Sequence, residues 1–268
     1  MMIVADNLQV TSRRVAQAIE HRDAEAIRAM VTQSLKAGAD AIDINPGPLT
    51  REPEDKMTFL VEAVQSATDK PLLLDTTNPR ALAAGLKVAR NPAVINGFSL
   101  EPVKLAEILP LAVAHDVDII GYLLYPDSRV PVDEDECLAV ASALLEAFEQ
   151  SGLGRERLII DPVVAPLIWD NGLRHNRAVL GVIPRLADLF GFPVRTIAGI
   201  SNLTTGPAVY PRRIRMEQTF IPMLAAAGLS MALMNMRHVE SVRSVRAGDL
   251  LLQSDVFAWD AMEDPGIR

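Results

Sequence analysis

Short apolar runs that stop at an Asp or Asn recur along this chain: Leu72-Leu73-Leu74-Asp75, Ala93-Val94-Ile95-Asn96, Leu158-Ile159-Ile160-Asp161 and Ile197-Ala198-Gly199-Ile200-Ser201-Asn202. A run of leucine and β-branched residues without polar alternation reads as a strand buried on both faces, the habit of parallel sheets covered by helices. Its last residue lies at the strand's carboxyl end, where α/β folds build their sites, and is expected to point into solvent there. Ends carrying only carboxylates and carboxamides predict a shared pocket that hydrogen-bonds a heteroaromatic ligand.

Period and punctuation give eight strands, at Met2–Ala5, Ala41–Ile44, Leu72–Asp75, Ala93–Asn96, Ile119–Leu123, Leu158–Asp161, Thr196–Gly199 and Ser230–Met234. Helical segments lie between them. Arg13–Ala37 carries apolar residues three and four apart, and in Glu101–Ala114 Leu105, Ile108, Leu109 and Ala112 form one face. Asp133–Gln150 opens on four consecutive acids, Asp133 to Glu136, which favour the positive end of a helix. Pro79, Pro102 and Pro131 stand just after strands or just before helices, where a missing N–H costs nothing.

Eight β-α alternations in 268 residues predict a single-domain (β/α)8 TIM barrel, a fold of ~250 residues. Residues 1–262 are expected to form it, with 263–268 a tail. A doubly wound dinucleotide-binding sheet would open on a glycine-rich first turn, and Ala5-Asp6-Asn7-Leu8-Gln9 has no glycine.

The apolar content of 49% supplies a large core, but charged residues interrupt every stretch before the roughly 18–20 residues of a membrane span. The start lacks a basic segment followed by a long apolar one, so neither a membrane segment nor a signal peptide is expected. One cysteine, Cys137, forbids an internal disulfide and fits a reducing cytoplasm. A net charge of −8 argues against nucleic-acid binding. His21, His115, His175 and His238 have no metal-ligand spacing, so no metal site is expected; His238, just after the last strand, is within reach of the pocket, and a surface role is favoured for it. Cys137 is expected to be inert because the acidic helix start raises its pKa. Met223, Met231, Met234 and Met236 are read as core fillers, and Gly47, Gly97 and Gly121 as loop or turn glycines.

A pterin ring presents N–H donors along one edge, which carboxylates accept, while an Asn amide both donates and accepts. Asp75, Asn96 and Asp161 have that chemistry; the alternative is that they cap the helices that follow. The segments Ala39–Pro48, Leu74–Leu86 and Ile159–Pro162, with Gly199-Ile200-Ser201-Asn202, resemble the pterin-binding barrel superfamily, and most of all its methyltetrahydrofolate:corrinoid/iron–sulfur protein methyltransferases. The likeness runs in order from Ile3 to about Phe257.

The resemblance implies that Asp75, Asn96 and Asp161 bind the pterin, joined by Asp43, Gly199, Ser201 and Arg213, and that Asn202 contacts N5 of the methyl donor. It implies a methyltransferase using 5-methyltetrahydrofolate or tetrahydrofolate as substrate, a cobalamin carried by a partner corrinoid protein, and a homodimer. Because the tetrahydrofolate anion is a poor leaving group, N5 must be protonated or strongly hydrogen-bonded. An amide can follow that change by swivelling, so neither a carboxylic acid nor a histidine is expected as the direct general acid. Relatives begin Gly-Glu-Arg-Ile-Asn at the first strand end, where this chain has Ala5–Gln9. Dihydropteroate synthase, the runner-up, needs a basic Ser-Arg-Lys-type segment and an Asp-Pro-Gly loop. Here Ser201-Asn202-Leu203 and Asp161-Pro162-Val163-Val164 stand there. A non-catalytic pterin-binding subunit of a larger methyltransferase complex is the third reading.

Overall fold

A computed structural model describes residues 1–254. Its strands are β1 (Met2–Gln9), β2 (Ala41–Asn45), β3 (Leu72–Leu74), β4 (Ala93–Phe98), β5 (Asp118–Tyr122), β6 (Leu158–Asp161), β7 (Arg195–Gly199) and β8 (Met231–Met234). Each pairs in parallel with the next and β8 closes on β1, so the sheet is a barrel and not an open doubly wound one. The helices are α1 (Arg13–Glu20), α2 (Ala24–Lys36), α3 (Pro53–Gln65), α4 (Pro79–Val88), α5 (Pro102–Glu107), α6 (Leu109–His115), α7 (Glu134–Gln150), α8 (Gly172–Val182), α9 (Leu186–Phe190), α10 (Ile200–Leu203), α11 (Tyr210–Ala226) and α12 (Val239–Leu252). The (β/α)8 architecture is therefore the one the apolar runs predict. The boundary expected at residue 262 and the tail 263–268 lie outside the described residues.

Two long helical segments break where the pattern alone ran on. Arg13–Ala37 divides into α1 and α2 because Arg22 takes a left-handed backbone, φ 51°, and the Asp23 carboxylate accepts the Ala26 amide at 3.0 Å to start a new helix. Glu101–Ala114 divides at Ile108, since Pro110 has no N–H to give the Ala106 carbonyl. The predicted face is kept, fully at Ile108, Leu109 and Ala112, which are buried, and in part at Leu105, which is half-buried against the core. At the start of α7, Asp133 caps by accepting the Glu136 amide at 3.0 Å.

The barrel interior is layered, because side chains two apart on a strand share a face. Val4, Ala41, Leu73, Val94, Ile120, Ile159, Ile197 and Met231, one from each strand, meet in a closed apolar plug. Below it, at the amino-terminal mouth, lies a cavity of about 640 Å³ edged by Arg157 and Arg195, both ion-paired with Asp118 between them. Above it, one step along β1 to β6, the inward positions turn polar.

Three assignments need correction. Gly97 and Gly121 lie in β4 and β5, not in turns; a Cβ on Gly97 would run into the Ile120 carbonyl oxygen and one on Gly121 into Leu144, so these strands close only with glycine there. Met223 is exposed on α11, whereas Met231, Met234 and Met236 are buried. Strand β1 runs four residues beyond the expected Ala5, to Gln9, with its register against β2 shifting between Ala5 and Leu8.

Candidate functional site

Two residues beyond the plug positions, the chain presents Asp6, Asp43, Asp75, Asn96, Tyr122, Asp161 and Gly199 to the barrel axis, with Leu233 at the eighth, and Asn45 at the end of β2 and Asn235 just past β8 follow one step higher. The expectation that these tips face solvent is overturned. Asp43, Asn96 and Asp161 are only 1%, 5% and 9% exposed, because the strand alternation that buries the plug aims the next side chain inward as well.

The tips hydrogen-bond one another around the ring. Tyr122 donates its hydroxyl to Asn96 Oδ1 at 2.5 Å, and the Asn96 amide donates to Asp43 Oδ1 at 3.1 Å. Asn45 donates to Asp75 Oδ2 at 2.6 Å. The Val163 amide donates to Asp161 Oδ1 at 2.7 Å, and the Ser201 hydroxyl to Asp6 Oδ2 at 2.6 Å. These bonds fix orientation but do not exhaust the acceptors: among the described residues Asp43 Oδ2 is buried without any partner. A buried orphan acceptor is costly unless something donates to it.

Burial raises the carboxyl pKa values. Asp161 is pushed up to about 7 by burial, against the pull of the Val163 amide. Asp75 also reaches about 7 through burial, opposed by the Asn45 amide and by the Lys104 ammonium, which lies 5.7 Å from the Tyr122 ring centre. Asp43 is held well above the usual range, first by burial and then by the charge of Asp75. Asp6 is raised by burial, with the Ser201 hydroxyl opposing. The arrangement is a set of hydrogen-bond acceptors, each partly desolvated and each stabilised by an incoming N–H. That fits the donor edge of a pterin, and it includes Asp75, Asn96 and Asp161 as well as Asp43.

The β7 side differs. Asn202 lies past the strand, on the one-turn helix α10, and is exposed. Its side chain folds back over Gly199, where a Cβ would come within 3.1 Å of Asn202 Nδ2, so the glycine leaves room for that amide above the barrel. The Arg213 guanidinium braces its own loop, donating to the carbonyls of Ala208, at 2.7 Å, and Gly206.

Behind this turn sits a second polar cluster that sequence reasoning missed. Glu217, 1% exposed on α11, accepts Thr204 Oγ1 at 3.1 Å, Ser241 Oγ at 2.8 Å and His238 Nδ1 at 2.8 Å. Burial works against ionising Glu217, yet the three donors outweigh it and hold its pKa low. His238 is thus half-buried rather than free on the surface: Glu217 and the edge of the Tyr210 ring, 5.5 Å away, hold it in place. Its pKa is raised, first by the hydrogen bond to Glu217. Cys137 is buried and pushed up to about 12, by burial before the neighbouring acids. His175 is buried between the Pro131 and Val163 carbonyls, 2.5 Å from each. Among the described residues no group of three or more His, Cys, Asp or Glu is placed to hold a metal ion, and no helix is long and apolar enough to cross a membrane.

A family model described as pterin binding enzyme matches residues 7–235, nearly the whole barrel. The chain belongs to the pterin-binding enzymes. A curated relative, the methylcorrinoid:tetrahydrofolate methyltransferase of Eubacterium limosum, is 25% identical over 260 residues, covering 95% of this pterin-binding enzyme and 92% of the relative. Among solved structures, dihydropteroate synthase from Xanthomonas albilineans, in complex with indole-2-carboxylic acid and 6-chloroguanine, matches with TM-score 0.69 at 18% identity, covering 95% of this chain and 94% of that one. Yersinia pestis DHPS with a pterine-sulfa conjugate matches at 0.64 and 18%, covering 92% and 91%. At that identity the two structures speak to the fold alone.

Asp6, Asn45 and Tyr122 were the other residues not picked out. Stepping by two from each plug residue would have found all of them; pairing Glu217 with His238 required the fold.

Proposed function

We propose that this pterin-binding enzyme is a methyltransferase moving a methyl group between N5 of a tetrahydrofolate-type pterin and the cobalt of a corrinoid carried by a separate protein. The observation that carries the pterin half is the buried, partnerless Asp43 Oδ2 within a ring of acceptors, complementary to a heterocycle edge made of donors. The methyl-transfer half rests on the Eubacterium limosum relative and on an amide, Asn202, standing over the β7 end of that ring.

In this reading Asp75, Asn96 and Asp161 hold the pterin's donor edge, with Asp43 beneath. Gly199 and Ser201 shape the β7 turn, Arg213 stiffens the loop above, and Asn202 faces N5. An amide donates to an unprotonated N5 and accepts from N5–H⁺, so Asn202 stays bonded through both states. The cobalt supplies either the nucleophile for the methyl group or the methyl group itself. This chain orients the pterin and keeps its buried face from water. The same reading carries a homodimer and a cytoplasmic location, supported by the family resemblance and by the single thiol.

The test is direct: purified protein with methylated tetrahydrofolate and free Co(I) cobalamin, read by the loss of Co(I) absorbance. Methylcobalamin formation above the uncatalysed rate is expected. Tight pterin binding with no turnover favours a non-catalytic subunit, and condensation of a pterin pyrophosphate with 4-aminobenzoate favours a dihydropteroate synthase.

A further inference from the structure

Methyl transfer at N5 is a proton-coupled event. When N5–H accepts a methyl group, the nitrogen lone pair forms the N–C bond and the bond between methyl and its former carrier breaks, its electron pair staying with the carrier. One proton leaves N5 per turnover. In the opposite direction one proton is taken up as the pterin departs. Asn202 can bond N5 in either state, but a neutral amide cannot store that proton near neutral pH.

The titratable and charged groups on this side of the mouth are few. Tyr210, Arg212, Arg213, Arg215 and Glu217 come from α11, Asp6 from β1, and Arg237, His238, Glu240 and Arg243 from the β8–α12 segment and the start of α12. An arginine stays protonated. Tyr210 is raised further from neutrality, by burial first and then by Glu240. Glu217 is fixed as an acceptor by Thr204, Ser241 and His238. Glu240 is exposed and engaged with Tyr210, which leaves Asp6 and His238, and each biases the charge of the other.

We propose that His238, backed by Glu217, holds the proton exchanged at N5 and acts on the pterin through Asp6 and Ser201. This rests on the methyltransferase reading. Glu217 Oε2 keeps a proton on His238 Nδ1 at 2.8 Å, so Nε2 is the titrating atom, with no hydrogen bond of its own among the described residues. The Tyr210 edge fixes the ring plane, and the His238 side chain, 16% exposed, can exchange its proton with solvent. On the inner side Asp6 accepts the Ser201 hydroxyl at 2.6 Å, and Ser201 precedes Asn202 in the same turn. Asn7, next to Asp6, donates to Asn235 Oδ1 at 2.8 Å, and the Asn235 carbonyl accepts the His238 amide at 3.0 Å, so the strand end that carries Asp6 is tied to the turn that carries His238 and opens to water. His238 is a positioning and relay residue and does not touch the pterin.

The experiment compares wild type, His238→Gln and Glu217→Gln in single-turnover methyl transfer from methylated tetrahydrofolate to free Co(I) cobalamin, from pH 5.5 to 9. NMR titration of the histidines accompanies it. In this direction the protonated form is needed, so the wild-type rate should fall as pH rises through a midpoint above the ordinary histidine value. His238→Gln should lose that limb and slow about tenfold or more, a typical range for acid–base assistance being ~10²–10⁴. Its pterin affinity should stay within about twofold. Glu217→Gln should move both the kinetic midpoint and the His238 NMR midpoint to lower pH, and pterin binding should displace the His238 midpoint in wild type. A folded His238→Gln with the wild-type pH profile overturns the proposal, as does a His238 titration indifferent to bound pterin. Wild-type protein that binds pterin but never turns over sinks the methyltransferase reading instead, and the relay with it.

Discussion

At the scale of single residues, Asp75 and Asp161 set how the ligand-free barrel responds to pH. Both have folded pKa values of about 7 against the ordinary 3.8. A group raised on folding contributes its stability fully below the unfolded value and loses it as pH climbs through the folded one. Stability should therefore decline from about pH 4 to beyond pH 7, and Asp161→Asn should flatten that decline. At pH 8 its Tm is expected several degrees above wild type, at ~2–4 °C per kcal/mol for a chain this size; a thermal melt series in pH decides it. The same variant should bind pterin much more weakly, since an amide presents one acceptor where two are wanted.

On the proposed contacts to Asp75 and Asp161, pterin binding should hold these carboxylates ionised and expel protons near pH 7. Calorimetry at that pH in buffers of different ionisation enthalpy should show net proton release, fading by pH 9; net uptake would mean that the acids donate. Asn202→Ala should cut methyl transfer by about 10²–10³, the usual loss for a positioned hydrogen bond at a developing charge, with pterin affinity little changed. Single-turnover rates beside equilibrium binding separate the two. Residues at this scale were legible where an apolar run stopped at them, as at Asp75 and Asp161. Tyr122 and Asn45 were hidden because nothing in composition marks an inward position until the strand's phase is known.

At the scale of elements, Glu217 joins three. It ties the end of α10 through Thr204, α12 through Ser241 and the β8–α12 segment through His238. Removing a buried acceptor strands all its donors, so Glu217→Ala should destabilise by about 3–5 kcal/mol, as breaking a buried ionic cluster does. Urea denaturation reads the change, and hydrogen exchange should rise first in residues 200–204. The pair also has its own pH window. The raised His238 contributes at low pH and fades as pH rises through its folded value; the lowered Glu217 contributes above its ordinary 4.5 and fades as pH falls further. Strands were readable because a strand buried on both faces has to be apolar throughout. Helix ends were not: the break at Arg22 depends on one left-handed residue and the cap on Asp23, and the break at Ile108 on a proline that also suits a first turn.

For the whole molecule, the carboxyl-terminal mouth has an apolar lip. Ile168, Trp169 and Leu173 follow β6, Val209 and Tyr210 follow β7, and all are exposed. Leu167 and Leu203 join the two loops, amide to carbonyl at 3.0 Å. Exposed aromatic and aliphatic residues beside a pocket are where a partner gains affinity. Trp169→Glu should slow transfer with a corrinoid protein at least tenfold while leaving transfer to free cobalamin nearly intact; equal losses in both assays would place Trp169 in the pocket instead. The eight-stranded barrel was the most legible level of all, since the β-α count and length admit few closed alternatives.

The apolar plug has a kinetic consequence. With its floor sealed by Val4, Leu73, Ile120, Ile197 and their neighbours, the vessel has a single doorway. Whatever small molecule enters must leave the way it came, past the threshold that the carrier protein would occupy. On the proposed reaction, traffic should therefore be ordered, folate first in and last out with the carrier arriving and departing between, and a surplus of carrier should shut the spent folate inside.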